Sequence, residues 1–373
     1  MGGHEELLDI AQTETGLHDF GDKSFMEGLE ILVRALRTEA RLNARGLAYL
    51  PRRIIDLLKQ RLQIEEWYRR HPEIEDVRIT APLIGISLPR TGSTALSFLL
   101  AEDPNSRSLR QWESAEPCPP PSTVKGPDPR LFKGLTGDRP SGAHLPSPTA
   151  NSPMECQELM ALDFKSHIFQ AFAHVPSYID WLINANLTTT YLYERRTLKL
   201  LQWGFPEKPW RLKCPNHLAY LPHLDRVFPD ARFVMTHRDP TDVVISNAHL
   251  LADYVGIFTD HVDLHYLGKL SVEQLALSMN RALAFRDNGN EARFYDIHFR
   301  AMQRDPIGEV RGLYNWLGEP VSPAFEAGMA RWWKENAENR EPNIHPPPST
   351  YGLDLERVRP MFADYTARFA NAR

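Results

Sequence analysis

Cysteine is scarce in this sequence, with three among 373 residues, at positions 118, 156 and 214. They form no C-x-x-C pair, and an odd number leaves one thiol over under any disulfide scheme. All three are therefore expected to be reduced, which favours a cytoplasmic setting. No apolar run approaches the roughly 20 residues that span a bilayer, so a transmembrane segment is not expected. The amino terminus is acidic where a secretory signal is basic, and Glu6 stands where myristoylation calls for Ser or Thr. Positive charge is not in excess. At a formal net charge of −5 no global field draws the chain to nucleic acid, and any anion site has to be local. The H-E-x-x-H pattern is absent, and His249, His261 and His265 are scattered with no Cys/His cluster, so no metal site is expected. The G-x-S-x-G elbow of an esterase is also missing.

The apolar residues follow helical spacing over residues 24–70, at Phe25, Leu29, Leu32, Val33 and Leu36, then Ile54, Leu57, Leu58, Leu62 and Trp67. This predicts two or more helices in an extension over residues 1–78, with Pro51 opening one of them. From residue 79 to 373, short apolar runs alternate with longer helical stretches, the pattern of an α/β domain built on a P-loop-like parallel sheet of about five strands. Strands are expected at 83–88, 210–213, 232–237 and 293–297, with a shorter one near 108–112. Helices are expected at 93–102, 154–173, 188–202, 217–227, 241–252, 271–287 and 305–317. Proline recurs among Gly, Ser and Thr over 116–153, which predicts a long irregular connection. A second such stretch at 340–354 leads into a final amphipathic helix, so 340–373 reads as a lid.

Two corners carry the chemistry. In LIGISLPRTGSTALSFLL, residues 83–100, an apolar strand turns through Pro89, Arg90, Thr91 and Gly92 into a helix beginning at Ser93 and Thr94. Free amides at a helix start, backed by the helix dipole, make an anion site. Gly92 lets backbone approach an oxygen closely, the Ser93 and Thr94 hydroxyls add donors, and Arg90 adds a permanent charge with a planar fork. Gly92 occupies the place of the Walker lysine, which argues against a magnesium-dependent triphosphatase or a small-molecule kinase. In ARFVMTHRDPTDVVISNAHL, residues 231–250, a strand ends at Arg238, Asp239 caps the next helix, Pro240 opens it, and Ser246 lies about two turns along. Ligands of open parallel sheets bind at strand carboxyl ends, so the two corners fit one ligand with two separated phosphate groups.

With these residues the chain resembles the sulfotransferases that use 3′-phosphoadenosine 5′-phosphosulfate, in a bacterial, actinobacterial-type branch. LPRTGST, AEDPNSRSLRQWE, SPMECQELMALDF, WRLKCPNHLAYLPHLDRVFPDARFVMTHRDP and YGLD carry the resemblance, over roughly residues 80–365. It implies that Arg90, Thr91, Gly92, Ser93 and Thr94 hold the 5′-phosphosulfate and that Arg238 and Ser246 hold the 3′-phosphate. The product would be adenosine 3′,5′-bisphosphate, and no metal would be required. The Lys-x-His of the cytosolic aryl and steroid enzymes is replaced by Lys213-Cys214-Pro215. The family's alternative, a carboxylate base, then points to Glu113 first and Glu155 second, with His217 in reserve and Lys213 as a donor to the leaving oxygen. The implied acceptor is a hydroxyl of a small molecule, with a hint of an apolar or lipid-like one. A nucleotide-binding module of the same fold that has lost catalysis is the contrasting reading.

Overall fold

The structure is a computed structural model and describes residues 2–133, 149–337 and 345–369. Three N-terminal helices, α1 (His4–Thr15), α2 (Phe25–Thr38) and α3 (Ala44–Arg70), precede the sheet. Phe25, Leu29, Leu32, Val33 and Leu36 are buried on α2, and Ile54, Leu57, Leu58 and Leu62 on α3, as their spacing requires. Pro51 does not open a helix. The side chain of Asn43 accepts from the Gly46 amide at 3.0 Å and caps α3 well upstream. Pro51 is therefore internal, and the burial of Leu50 and Ile54 outweighs its missing donor.

The strands β1 (Leu83–Ser87), β2 (Arg107–Ser108), β3 (Trp210–Lys213), β4 (Arg232–His237) and β5 (Phe294–His298) form one parallel sheet in the order β2-β3-β1-β4-β5. Every residue of β1 is buried, as a central parallel strand covered on both faces must be. Side chains alternate between two cores. Ile84, Ile86 and Met235 join the larger one, which the N-terminal helices share, while Leu83, Val234 and Ile297 pack on the other face with Leu96, Leu99 and Trp332. The sheet order sets the carboxyl ends of β3, β1 and β4 side by side. Crevices at such ends are where open parallel sheets take their ligands.

Several boundaries differ from expectation. The edge strand β2 is only two residues long, because Gln111–Ala115 closes into a short helix, α5, which follows α4 (Ser93–Leu100). The helix expected over 154–173 is three pieces: α6 (Gln157–Met160), a 3-10 turn at Ala161–Asp163 and α7 (Ile168–Phe172). Phe164, in the left-handed region at φ 51°, interrupts it. After α8 (Pro176–Leu182) and α9 (Thr188–Gln202), the segment behind β3 starts as a 3-10 turn, Pro215–Tyr220, before α10 (Leu221–Val227). Helix α11 (Pro240–Val255) starts at its proline, and α12 (Leu264–Phe285) begins seven residues earlier than expected, capped by Asp263. The final helix is broken into Leu355–Val358, a 3-10 turn holding Pro360, and Ala363–Phe369. Of the proline-rich stretch, 134–148 lie outside the described residues, as do 340–344 of the second loop; the described remainder holds short 3-10 turns at Pro121–Thr123, Pro129–Phe132 and Pro348–Tyr351 and an isolated antiparallel bridge from Pro153 to Arg110. Among the described residues, no helix is long and apolar enough to cross a membrane.

Candidate functional site

The corner after β1 is held by its own backbone and by β4. Arg90 adopts φ 65° and Gly92 φ 91°, two left-handed residues that turn the chain sharply into α4. A non-glycine residue held there marks a conformation the surroundings enforce. At Gly92 a β-carbon would also come to 3.0 Å from the Phe299 ring, a tight contact that adds to the backbone's preference for glycine. Thr91 does not face outward. Its hydroxyl donates to the Leu88 carbonyl at 2.8 Å and pairs with that of Thr236 at 2.6 Å, tying the loop to β4. Ser93 and Thr94 open α4, and Arg90 leaves the turn toward the second corner, where its Nε donates to Ser246 Oγ at 3.0 Å.

From the other side, Arg238 Nη1 donates to the carbonyl of Arg90 at 3.2 Å, and its guanidinium lies over the Phe299 ring, 5.0 Å from the centroid. Its second nitrogen reaches Asp242 at 3.4 Å, a long contact to an exposed carboxylate. The two corners, 148 residues apart in sequence, are therefore one continuous cationic rim. Arg238 is fixed from behind. Tyr365, on the C-terminal helix Ala363–Phe369, accepts from the Arg238 amide at 3.3 Å and donates to its carbonyl at 3.2 Å. His237 donates to Asp296 at 2.7 Å and stacks on Phe369. Asp296 accepts two bonds from the buried Arg286, at 2.8 and 2.7 Å. Burial pushes the Asp296 carboxyl upward, but the hydrogen bonds from Arg286 and His237 outweigh it and hold the group well below the usual carboxylate range.

The third element is a chain of polar contacts beside the loop. Lys213 ends β3 with its side chain against Gly85, the residue opposite it on β1, and its ammonium donates to Thr94 Oγ1 at 3.4 Å and to Glu155. The other oxygen of Glu155 accepts from Gln157 Nε2 at 2.7 Å, and Gln157 Oε1 accepts from Asn216 at 3.1 Å. The amide of Cys156 donates to the Lys213 carbonyl at 3.0 Å, fixing this segment to the end of β3. Glu155 keeps about a quarter of its side-chain surface open, 24%, whereas Lys213 is 8% exposed. A partly open carboxylate beside a cation at the mouth of an anion loop can take a proton from a bound hydroxyl group.

Glu113 stands apart from that chain. It is 3% exposed, one oxygen accepts from Arg107, and the other accepts from the Arg110 amide at 3.0 Å in a capping box on α5. Replacement Glu113→Gln is expected to cost about 1.5–3 kcal/mol of stability in urea unfolding, through loss of charge-assisted bonds, while turnover per folded molecule stays within about threefold of the parent. A turnover loss of 100-fold or more would return Glu113 to the reacting centre.

His217, the residue held in reserve as a base, is fully buried, 0% exposed. Its surroundings are what the sequence did not disclose. The Cys156 sulfur, a Glu194 oxygen and a His217 nitrogen all lie within 4.8 Å of one another, from the turn before α6, from α9 and from the turn after β3. Burial raises the Glu194 carboxyl to about 8, raises the Cys156 thiol well above its usual value and lowers the His217 imidazole to about 3. Thirty-eight and twenty-three residues separate these side chains in the sequence, so no ligand spacing announced them.

The sequence model of the sulfotransferase family matches residues 82–323, which include β1 to β5 and both corners. Among solved structures, sulfotransferase STF9 from Mycobacterium avium superposes with a TM-score of 0.90 at 30% identity, covering 99% of this chain and 97% of that one. Sulfotransferase STF1 from Mycobacterium tuberculosis H37Rv gives a TM-score of 0.82 at 29% identity, covering 96% and 98%. No curated protein matches the chain.

Proposed function

The chain belongs to the sulfotransferase family, and from that premise we propose that it transfers a sulfuryl group from 3′-phosphoadenosine 5′-phosphosulfate to a hydroxyl of a small molecule. The observation that carries this reading is the joined rim, where Arg238 donates to the Arg90 carbonyl and Arg90 to Ser246. It supports one ligand with phosphates at both ends. Arg90, Gly92, Ser93, Thr94 and the amides opening α4 would take the phosphosulfate end, and Arg238 and Ser246 the ribose-borne phosphate. Thr91 contributes its backbone, since its hydroxyl is already engaged.

Sulfuryl transfer, like phosphoryl transfer, depends mainly on positioning and charge stabilisation around an in-line displacement. The donor supplies an activated sulfuryl group. The acceptor oxygen forms a new S–O bond, the bond to the 5′-phosphate breaks, and the acceptor proton passes to Glu155. Lys213 and the loop donors meet the charge that develops on the leaving oxygen. These cations are on hand without a metal ion at the reacting bond. Gln157, held by Asn216, keeps the second oxygen of Glu155 turned away from Lys213, which fixes the direction in which the base presents its lone pair. The three free thiols favour a cytoplasmic setting. Exposed Leu131 and Phe132 in the proline-rich segment favour an apolar or lipid-like acceptor.

Thermal-shift titration tests the donor. Adenosine 3′,5′-bisphosphate is expected to stabilise the protein and ATP with magnesium is not. Arg238→Ala should weaken the bisphosphate by about 2 kcal/mol or more, roughly 30-fold, whereas Asp242→Ala should not weaken it. An unchanged affinity in Arg238→Ala removes that residue from the site. Isotope-labelled donor offered to a panel of hydroxylated metabolites tests transfer itself. Tight binding with no transfer to any acceptor would favour a nucleotide-binding module that has lost catalysis.

A further inference from the structure

We infer that Cys156, Glu194 and His217 form a buried zinc site that clamps the base-bearing segment to the sheet. The three side chains are 0%, 1% and 0% exposed, and their ligand atoms converge within 4.8 Å of one another. Two of the converging groups carry orphaned polar atoms, His217 Nε2 and Glu194 Oε2, neither of which has a hydrogen-bond partner. The Cys156 thiol hydrogen-bonds to the Glu194 carboxyl, yet buried polar atoms are nearly always paired, so two orphans on converging side chains point to something that joins them.

The chemistry of the donors selects the ion. His217 Nδ1 lies 3.0 Å from the Tyr191 hydroxyl. A proton on Nδ1 donated to Tyr191 leaves the unpartnered Nε2 as the nitrogen with a free lone pair, the second-sphere arrangement that metal-binding histidines show. Sulfur, nitrogen and oxygen donors together suit zinc, with bonds of about 2.0–2.3 Å, and a tetrahedron of that size sets ligand atoms about 3.3–3.8 Å apart. Closing from the observed spacing asks about 1 Å of side-chain movement. Charge closes as well. Binding releases the thiol proton of Cys156 and the acid proton of Glu194, and the two resulting anions neutralise Zn²⁺, so no net charge is buried. A water completes the four-coordinate shell.

The place in the fold gives the site its purpose. Cys156 directly follows Glu155, and His217 follows Lys213 by four residues on the turn behind β3. An ion bonded to both, and to Glu194 on α9, would fix the spacing of Glu155 and Lys213 without touching the reacting atoms. The site is sealed, so loading occurs as the chain folds.

Full-length protein expressed with added zinc and purified free of chelator and affinity-column metal is analysed for bound metal. About one zinc per chain is expected, with Cys118→Ser unchanged and Cys156→Ser and His217→Asn reduced at least fivefold. Protein produced with cobalt should show thiolate-to-cobalt charge-transfer absorption, absent in Cys156→Ser. Should those variants fail to fold, the cobalt spectrum of the parent decides. Parent protein with less than about a tenth of a zinc per chain, or cobalt protein without the thiolate band, overturns the site in favour of a bridging water or a shared proton.

Discussion

Glu155→Gln is expected to lower turnover by about 10²- to 10⁴-fold while leaving the affinity for adenosine 3′,5′-bisphosphate within a few-fold of the parent. Glutamine keeps the size of the side chain and its hydrogen bond to Gln157, but it takes no proton from the acceptor. The loss falls on the chemical step, so kcat drops and the thermal-shift response to the bisphosphate persists. Lys213, freed of its anionic partner, remains beside Thr94. Rates of labelled sulfuryl transfer under saturating donor measure the effect. Parent-like turnover would remove Glu155 from the proton transfer. A parallel loss of nucleotide affinity would instead assign the Glu155 and Lys213 pair to donor binding.

Asp296→Ala should destabilise the fold by about 3–5 kcal/mol, the cost of breaking a buried ion pair from one side. Arg286 is 1% exposed, and without Asp296 its charge rests on Glu291 alone, whose side chain is 55% exposed. The same change releases His237, which backs Arg238, so nucleotide affinity should fall as well. The pH dependence has a definite sign. The folded-state carboxyl is depressed, so its contribution is fully present above the unfolded carboxylate value of about 3.9 and is lost as pH falls below it toward the folded value. Asp296→Asn should therefore show a flatter loss of stability than the parent below about pH 4. Urea unfolding followed by circular dichroism at several pH values checks both statements. A parent-like midpoint in Asp296→Ala would mean that the network carries little of the stability.

Local elements are legible because local forces make them. The run Leu83–Ser87 reads as a buried strand from apolarity alone, and Gly92 and Pro240 mark the two turns that end strands and start helices. The strand near residue 108 and the helix at 154–173 depart from their sequence pattern for a tertiary reason. Glu113 finds Arg107 and the Arg110 amide, closing α5 where the pattern predicts a strand, and Phe164 in a left-handed turn breaks a stretch that apolar spacing leaves continuous. The family resemblance points to Glu113 first and Glu155 second as the carboxylate base. Only the folded chain gives one of them two local partners and the other a cation at the mouth of the loop.

By itself, then, the sequence determined the α/β pattern, the two strand-to-helix corners and the residues Arg90, Arg238 and Ser246 that line them. These follow from backbone geometry and hydrophobic periodicity acting over a few residues. The tertiary structure alone decided that Arg238 meets Arg90, that Lys213 meets Glu155, and that Cys156, Glu194 and His217 converge. Those meetings depend on the order β2-β3-β1-β4-β5, which sets the ends of β3, β1 and β4 side by side. Side-chain partnership is settled by that adjacency and by competition among buried charges, and neither is written in the spacing of residues along the chain.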